Sequence, residues 1–243
     1  MVNTKLSTRI ATSAALAVMM ASAGTASAVL LDISATADST IRESTLASSQ
    51  SASQVIFAGD TNAASGTDFL RSAISFDLDL AELAGATINS ATLTLTVRSS
   101  DSNSADADIT VNLHELSASF DNSVTWTSRN GTDSWTTAGG DFGAVLASIR
   151  GNPNTVATGT EFDFTSTDLT SSVVGANGGA LSLLIKGDVE DGTVRNLFQF
   201  ASNENTFASP GPVLTIDYTP VPEPTSLALL GLGGLLIARR RRG

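Results

Sequence analysis

Apolar and polar residues alternate along the middle of this chain, and that period constrains the fold more than any other feature. The clearest run extends from Ala91 to Val97, where apolar residues alternate with Thr92, Thr94 and Thr96. Successive side chains of a β-strand point to opposite faces, so the period predicts one buried face and one wet face. Four further runs share it, and they begin near Leu70, Ile109, Leu181 and Val213. Such a pattern is typical of antiparallel strands.

Polar segments such as Ser99–Ala105 separate these runs into short strands. Many short strands joined by polar turns favour an antiparallel β-sandwich or jelly roll, because a parallel sheet needs long crossover helices. Only two short helices are predicted. They are Leu78–Ala84 and Asp168–Val174, the second capped by Ser166 or Thr167. The predicted class is therefore all-β.

The first 28 residues have the order of a secretory signal peptide. Lys5 and Arg9 precede an apolar run from Ile10 to Ala23, and the small residues 26–28 follow. This order predicts export by the secretion machinery and cleavage by a signal peptidase after Ala28. A permanent N-terminal anchor is the alternative interpretation, but the apolar run is shorter than a typical membrane span.

The chain ends in three distinct parts. In order they are the motif Pro222, Glu223 and Pro224, the apolar stretch Leu227–Ala238, and the basic cluster Arg239, Arg240, Arg241 and Arg242. As a helix, the apolar stretch spans about 18 Å, against roughly 30 Å for a hydrocarbon core. It predicts a short transmembrane helix that bilayer thinning could accommodate, with the arginines on the cytoplasmic side.

This three-part tail resembles the PEP-CTERM sorting signal of Gram-negative bacteria. The resemblance implies an exosortase-type membrane protease as partner, which cuts near the Pro-Glu-Pro motif and releases or re-anchors the protein. Such systems usually accompany exopolysaccharide production. The implied location is the inner membrane, transiently through the C-terminal helix, and then the cell surface or extracellular matrix. A tail anchor without sorting is the alternative.

The predicted domains are thus a signal peptide at 1–28, a β domain at 29–220 and a sorting signal at 221–243. The β domain has seven basic and 23 acidic residues, a net charge of −16. That charge repels nucleic acid, so no nucleic-acid partner is predicted. The chain has no cysteine, and its one histidine is His114, so disulfides, thiolate nucleophiles and multi-His metal sites are excluded. No spacing among the acids identifies a catalytic pair.

Nine short segments, in a fixed order, carry a second resemblance. They are Ala35–Asp38, Ile41–Glu43, Arg71–Leu78, Gly85–Leu93, Ser123–Trp126, Phe162–Thr165 with Asp168 and Leu169, Gly179–Ile185, Phe200–Ser202 with Glu204, and Pro212–Ile216. In this order they resemble the DNRLRE family of extracellular β-sandwich modules, which includes carbohydrate-binding modules. Asp38 and Glu204 match acidic positions that recur in the family. Two departures are Thr127, where the family has Asn, and the segment Arg129–Gly140, which is peculiar to this chain.

Trp135 is the predicted ligand-binding residue. It lies among glycines in what we expect to be an exposed loop, where an indole face could stack on a sugar. The alternative is a loop anchor packed on the end of the sandwich. Trp126 follows Val124 at period two, and core packing is expected for it. His114 is expected at the surface or rim of a strand.

No cofactor is predicted, and calcium is the alternative. Two loops are rich in oxygen ligands: Asp101, Asn103, Asp106 and Asp108, and the segment Gly187–Gly192. Neither has EF-hand spacing, and solvated turns explain both.

We therefore expect a non-enzymatic exported protein that binds extracellular polysaccharide. The net charge favours a neutral polymer, or an acidic one bridged by calcium. The alternatives are a polysaccharide-degrading enzyme and a purely structural coat protein.

Overall fold

Eleven antiparallel strands make up most of the regular structure in the part of the chain that the computed structural model describes. That part comprises residues 27–61, 68–100, 107–192, 194–206 and 208–221. The strands are β1 Val29–Ser34, β2 Ala37–Arg42, β3 Val55–Asp60, β4 Phe69–Asp77, β5 Thr87–Ser100, β6 Ile109–Leu116, β7 Phe142–Gly151, β8 Glu161–Thr165, β9 Ala180–Gly187, β10 Asn196–Ala201 and β11 Val213–Thr219. One α-helix, α1 Thr167–Ala176, and two short 3₁₀ turns accompany them. The chain is mostly β, as the alternation predicted.

Hydrogen bonds connect these strands into one sheet rather than two separate ones. The main path runs β1-β11-β5-β10-β3-β4-β9-β6-β7, with β2 paired to β4 and β8 paired to β5. The reason is the length of β5, whose 14 residues pair with β11 and β8 as far as Thr96 and with β10 from Val97 onward. β5 therefore belongs to two groups of strands. The first group contains β1, β8 and β11, and the second contains the remaining seven strands.

The main core contains side chains from both groups. Phe162 on β8 packs edge-on against Phe198 and Phe200 on β10, with ring centroids 5.0 and 5.5 Å apart. Leu93 and Leu95, on the face that the sequence predicted to be inward, have no exposed surface. Because the side-chain period of a strand is two, this burial fixes the register of β5 against its neighbours.

One of the two predicted helices is confirmed. α1 covers the predicted Asp168–Val174, and the Ser166 side chain caps it by accepting from the Leu169 amide at 2.9 Å. The predicted helix Leu78–Ala84 is wrong in extent, since only the 3₁₀ turn Ala81–Leu83 forms. The backbone of Leu78 bonds instead to the turn before β9, which holds it outside any helix.

The segment Ala26–Val221 forms one compact unit. The predicted signal peptide lies outside the described residues except for positions 27 and 28, and the predicted sorting signal lies outside them except for Val221. In the ranges that the structure describes, no helix is long and apolar enough to cross a membrane.

Candidate functional site

Trp135 is buried, so the exposed position predicted for it is wrong. Its side chain is 5% exposed, and its Nε1 donates to the Thr125 carbonyl at 3.0 Å. The indole joins Trp126 and Leu184 in a second apolar cluster beside the main core. An indole buried this deeply has no free face for stacking on a sugar ring. Trp135 therefore anchors its loop on the sheet, as the alternative interpretation had it.

The loop of residues 117–141 packs on this part of the sheet through its two tryptophans, and the Arg71 side chain of β4 donates to the Gly139 carbonyl of the loop at 2.8 Å. Trp126 is 6% exposed, which confirms the predicted core position. The Arg71 guanidinium lies 4.9 Å from the Trp126 ring centroid and donates to both Glu190 carboxylate oxygens, at 2.9 and 2.8 Å. Gly139 has a φ of +90°, and a Cβ there would come within 2.9 Å of Trp126. The loop thus requires a glycine at position 139, where its backbone passes over the Trp126 ring.

A groove of about 470 Å³ lies between β2 and β10, on the face of β2 opposite to Ile41 of the second cluster. Six polar residues line it: Thr40, Arg42, Gln50, Thr61, Arg195 and Gln199. Three apolar residues complete the lining: Phe57, Leu70 and Leu197. The lining is more polar than that of a typical small-molecule pocket, and it combines several hydrogen-bonding side chains with one aromatic ring.

Arg42 is held in one orientation at the edge of this groove. Its Nε donates to both Asp68 oxygens, at 2.9 and 3.0 Å, and its Nη2 donates to Oδ2 as well. The Asp68 side chain is 1% exposed. Burial opposes its charge, but hydrogen bonds from Arg42, Thr61 and Ser44 hold the pKa of Asp68 well below its usual range. The carboxylate is therefore ionised, and the guanidinium fork is positioned before any ligand arrives.

Two hydroxyl groups connect the strands at the floor of the groove. The Phe57 amide of β3 donates to Thr40 Oγ1 at 3.1 Å and to Ser72 Oγ at 3.0 Å, and Ser72 Oγ donates to the Phe57 carbonyl at 2.8 Å. β3 pairs with β4 only through Gly59 and Asp60, so at Phe57 these side chains take the place of strand pairing. The groove lies where β3 separates from β4.

The structure brings Asp38 and Glu204 together, which the sequence alone did not determine. Asp38 is 1% exposed on β2, and Glu204 follows β10. Burial, reinforced by the adjacent Glu204, raises the pKa of Asp38 to about 7, and burial also raises the pKa of Glu204. The two carboxyl groups of a glycosidase flank the scissile bond and must both reach the substrate, whereas Asp38 is buried. The pair does not have the arrangement of a glycosidase site.

The loops considered for calcium are only partly described. Asp101, Asn103 and Asp106 lie outside the described residues. Asp108 pairs with Arg150 at 3.2 Å. In the second loop, Asp188 accepts from the Thr110 amide at 3.0 Å, and Glu190 binds two basic side chains. Within the described ranges, no group of three or more His, Asp or Glu residues could hold a metal ion.

His114 is buried rather than at the surface, so that expectation is wrong. It is 6% exposed, its Nδ1 donates to the Gly143 carbonyl at 2.9 Å, and its ring packs on Phe142 at 4.7 Å. His114 pairs with Leu184 of β9, so its side chain lies on the face of the sheet that the second apolar cluster covers. Burial lowers its pKa, and the nearby cations Lys186 and Arg71 act in the same direction.

Comparison with known protein families gives a match at the C-terminal tail. Residues 220–242 match the model of the PEP-CTERM protein-sorting motif. The chain matches no curated protein. The motif indicates an exported protein that an exosortase, a membrane protease, processes for the surface or the extracellular space.

Proposed function

We propose that this exported protein is a non-enzymatic surface or matrix module that binds polysaccharide in the groove between β2 and β10. The observation that carries the proposal is the composition of that groove. Phe57 presents an aromatic side chain, and Gln50 and Gln199 present amides on the same open surface. Apolar C–H faces of a sugar suit the ring, and its hydroxyls suit the amides.

The proposed path to the surface begins with the secretion machinery. A signal peptidase removes residues 1–28 after Ala28, and the C-terminal apolar helix holds the body at the inner membrane until the exosortase cuts near Pro222-Glu223-Pro224. The match of residues 220–242 to the sorting motif supports the second cut. The order of charges, apolar run and small residues supports the first.

We further propose that the sheet folds over on itself into two layers, as in the DNRLRE-like sandwich or jelly roll. Two observations support this. β5 pairs with β11 and β8 at one end and with β10 at the other. Phe162 on β8 packs against Phe198 and Phe200 on β10, although those two strands do not pair. Two sheet faces in side-chain contact are what a sandwich core requires.

The preferred glycan is proposed to be neutral, or acidic and bridged by calcium. The net charge of −16 between the terminal signals disfavours direct capture of a polyanion. Arg42 does not by itself reverse this preference, because its charge is balanced by Asp68. The second groove arginine, Arg195, donates to the Thr61 carbonyl at 3.4 Å. Hydrogen bonding to hydroxyl groups is the chemistry that the lining favours.

The test is calorimetric titration of the processed protein with neutral dextran and β-glucan oligosaccharides and with acidic alginate, each with calcium and with chelator. We expect Gln199→Ala and Phe57→Ala to weaken the neutral complex by about 1–3 kcal/mol, as for a binding-site contact. Asn89→Ala is the matched control, since Asn89 lies on β5 and contacts Asp217 outside the groove. Release of new reducing ends from any of these glycans would instead favour the enzyme alternative. Tight alginate binding in chelator would contradict the proposed preference.

A further inference from the structure

Two neighbouring acids, the buried Asp38 on β2 and the partly buried Glu204 in the loop after β10, lie next to the groove. Asp38 Oδ2 accepts from the Asn203 amide at 2.7 Å, and the carboxyl of Glu204, the residue after Asn203, lies beside the Asp38 carboxyl. Asp38 Oδ1 and Glu204 Oε2 are both removed from water, and among the described residues neither has a hydrogen-bond partner. The two acids therefore meet each other instead of a base.

The surrounding elements contribute amides rather than cations. On β2, the charged side chain four residues further on is Arg42, which is bound to Asp68. The loop after β10 contributes Asn203 and Asn205, and Gln54 before β3 bonds to that loop through its backbone carbonyl. Glu204 is the charged group that acts on Asp38. The Asn203 amide favours the Asp38 carboxylate, but no cation in the described residues is among the groups that act on either acid.

Two carboxylates in contact, one of them out of water, resist ionising together. One shared proton removes the repulsion and supplies the hydrogen-bond donor that both free oxygens lack. The direction of titration agrees with the geometry, since burial raises the pKa of Asp38 to about 7 and that of Glu204 is raised as well. The pair is thus a proton-dependent hydrogen bond between β2 and the loop after β10.

The position of the pair connects it to the groove. Asp38, Thr40 and Arg42 alternate along β2, so their side chains lie on one face of that strand, and the last two line the groove. On the other side, Gln199 of β10 lines the groove, and Glu204 lies five residues later. Between these walls, the Phe57 amide is held by the Thr40 and Ser72 hydroxyls.

We propose that a proton shared by Asp38 and Glu204 clamps β2 to the loop after β10, and that loss of this proton at alkaline pH loosens the groove. The clamp is independent of any ligand, and its effect on glycan binding rests on the proposed function. The pH range follows from the direction of titration. The native state binds the proton more tightly than the unfolded chain, so the stabilisation is complete below about pH 4 and is lost as pH rises through about 7.

The first experiment compares urea unfolding of the processed wild-type protein and of Asp38→Asn from pH 5 to pH 8. The asparagine keeps an acceptor for the Asn203 amide and offers Glu204 a permanent donor. We expect the wild-type unfolding constant to rise relative to the variant by roughly 10- to 100-fold over this range, given the titration shift. Comparison with the variant cancels the titration of groups elsewhere. Glu161→Gln, which removes an exposed carboxylate on β8, is the control and should follow the wild type.

The second experiment follows amide hydrogen exchange of Phe57 and Asn203 over the same range. In the wild type, both amides should lose protection as pH rises through 7, beyond the intrinsic dependence of exchange, and in Asp38→Asn they should not. Glu204→Gln provides the same comparison if Asp38→Asn does not fold.

Parallel stability profiles in wild type and variants would overturn the clamp. Rescue of the wild type, but not of the variants, by millimolar calcium at pH 8 would also overturn it, because the pair would then hold a cation. Since neither readout contains a glycan, failure of dextran binding leaves the test of the clamp intact.

Discussion

Asp38 and Asp68 show how the surroundings of a buried acid determine its charge. Both side chains are almost completely removed from water. Asp68 receives hydrogen bonds from Arg42, Thr61 and Ser44, which outweigh burial and keep its pKa well below the usual range. Asp38 faces another acid, and burial raises its pKa to about 7. The same residue type is thus an ionised anchor in one place and a titrating group in the other.

Replacement of Trp135 tests its role as a structural anchor. Trp135→Ala should lower the free energy of unfolding by about 3–5 kcal/mol, because it removes a buried indole and leaves the Thr125 carbonyl without its donor. Urea denaturation measures this loss. Thr132→Ala, at an exposed position of the same loop, is the control and should change stability little. A variant of normal stability that had lost glycan affinity would restore Trp135 as a ligand contact.

His114 predicts a loss of stability on mild acidification. Burial lowers its pKa below the 6.5 of the unfolded chain, so the unfolded state takes up the proton first as pH falls. Its contribution to stability is therefore present above about pH 6.5 and decreases as pH falls toward the folded pKa. In His114→Gln this contribution should disappear, so the stability of the variant relative to wild type should improve between pH 7 and pH 5. A constant difference over that range would contradict the assignment.

At the scale of elements, short side-chain contacts hold secondary structures where backbone pairing ends. Thr40 and Ser72 hold the Phe57 amide where β3 separates from β4. Ser166 caps α1 and also donates to the Leu146 carbonyl of β7 at 2.7 Å. Because β7 pairs with β6 alone in the described structure, this second bond attaches the helix end to an edge strand.

Removal of the α1 cap should have a measurable and local cost. Ser166→Ala should destabilise the protein by about 1 kcal/mol, since the Leu169 amide loses its acceptor and the link to β7 is lost. Ser171→Ala is the matched control, because that hydroxyl only bonds back to the Thr167 carbonyl within the helix. Thermal unfolding of both variants measures the difference. Equal losses of stability in the two variants would show that the cap contributes no more than an ordinary hydroxyl within the helix.

At the scale of the whole molecule, the two ends of the body meet. β1 and β11 pair, with Val29 opposite Tyr218, although 188 positions separate them in the numbering of the chain. The predicted cleavage after Ala28 therefore lies beside the strand that leads to the sorting motif, which begins at residue 220. In the sequence, the predicted cleavage after Ala28 directly precedes β1, and the matched motif directly follows β11, which ends at Thr219.

Intact-mass analysis of native protein tests the two cuts together. We expect the major secreted species to begin at Val29 and to end near Pro222-Glu223-Pro224, as the proposed removal of both terminal signals requires. The measurement uses material from the surface or medium of the expressing bacterium. Met1 or Arg242 on the major species would contradict dual processing.

Deletion of Arg239–Arg242 tests how the tail is held before sorting. If the apolar stretch anchors the tail as proposed, the deletion removes the charges that fix its cytoplasmic end, since moving arginine across a bilayer costs several kcal/mol. Retention and processing should decrease, as followed by fractionation and immunoblotting. Replacement of the four arginines by lysines is the control and should preserve sorting, since the positive charge remains. Equal processing of the deletion variant would argue against this role.

Local sequence order was sufficient for the β class, for α1 and its cap, and for the sorting tail. Each depends on neighbours in the chain: the period-two burial of Leu93 and Leu95, the reach of Ser166 to the Leu169 amide, and the order of motif, apolar run and arginines. These features can be predicted from neighbouring residues, without knowledge of contacts between distant parts of the chain.

Only the tertiary structure decided which residues are exposed and which acids meet. Trp135 lies among glycines and polar residues, and its burial depends on contact with strands far away in the chain. The groove combines β2 with β10, and Asp38 meets Glu204 across 165 intervening residues, a pairing that no local spacing encodes. Burial and charge coupling act through space, so the properties of these side chains follow from strand pairing and not from their neighbours in the sequence.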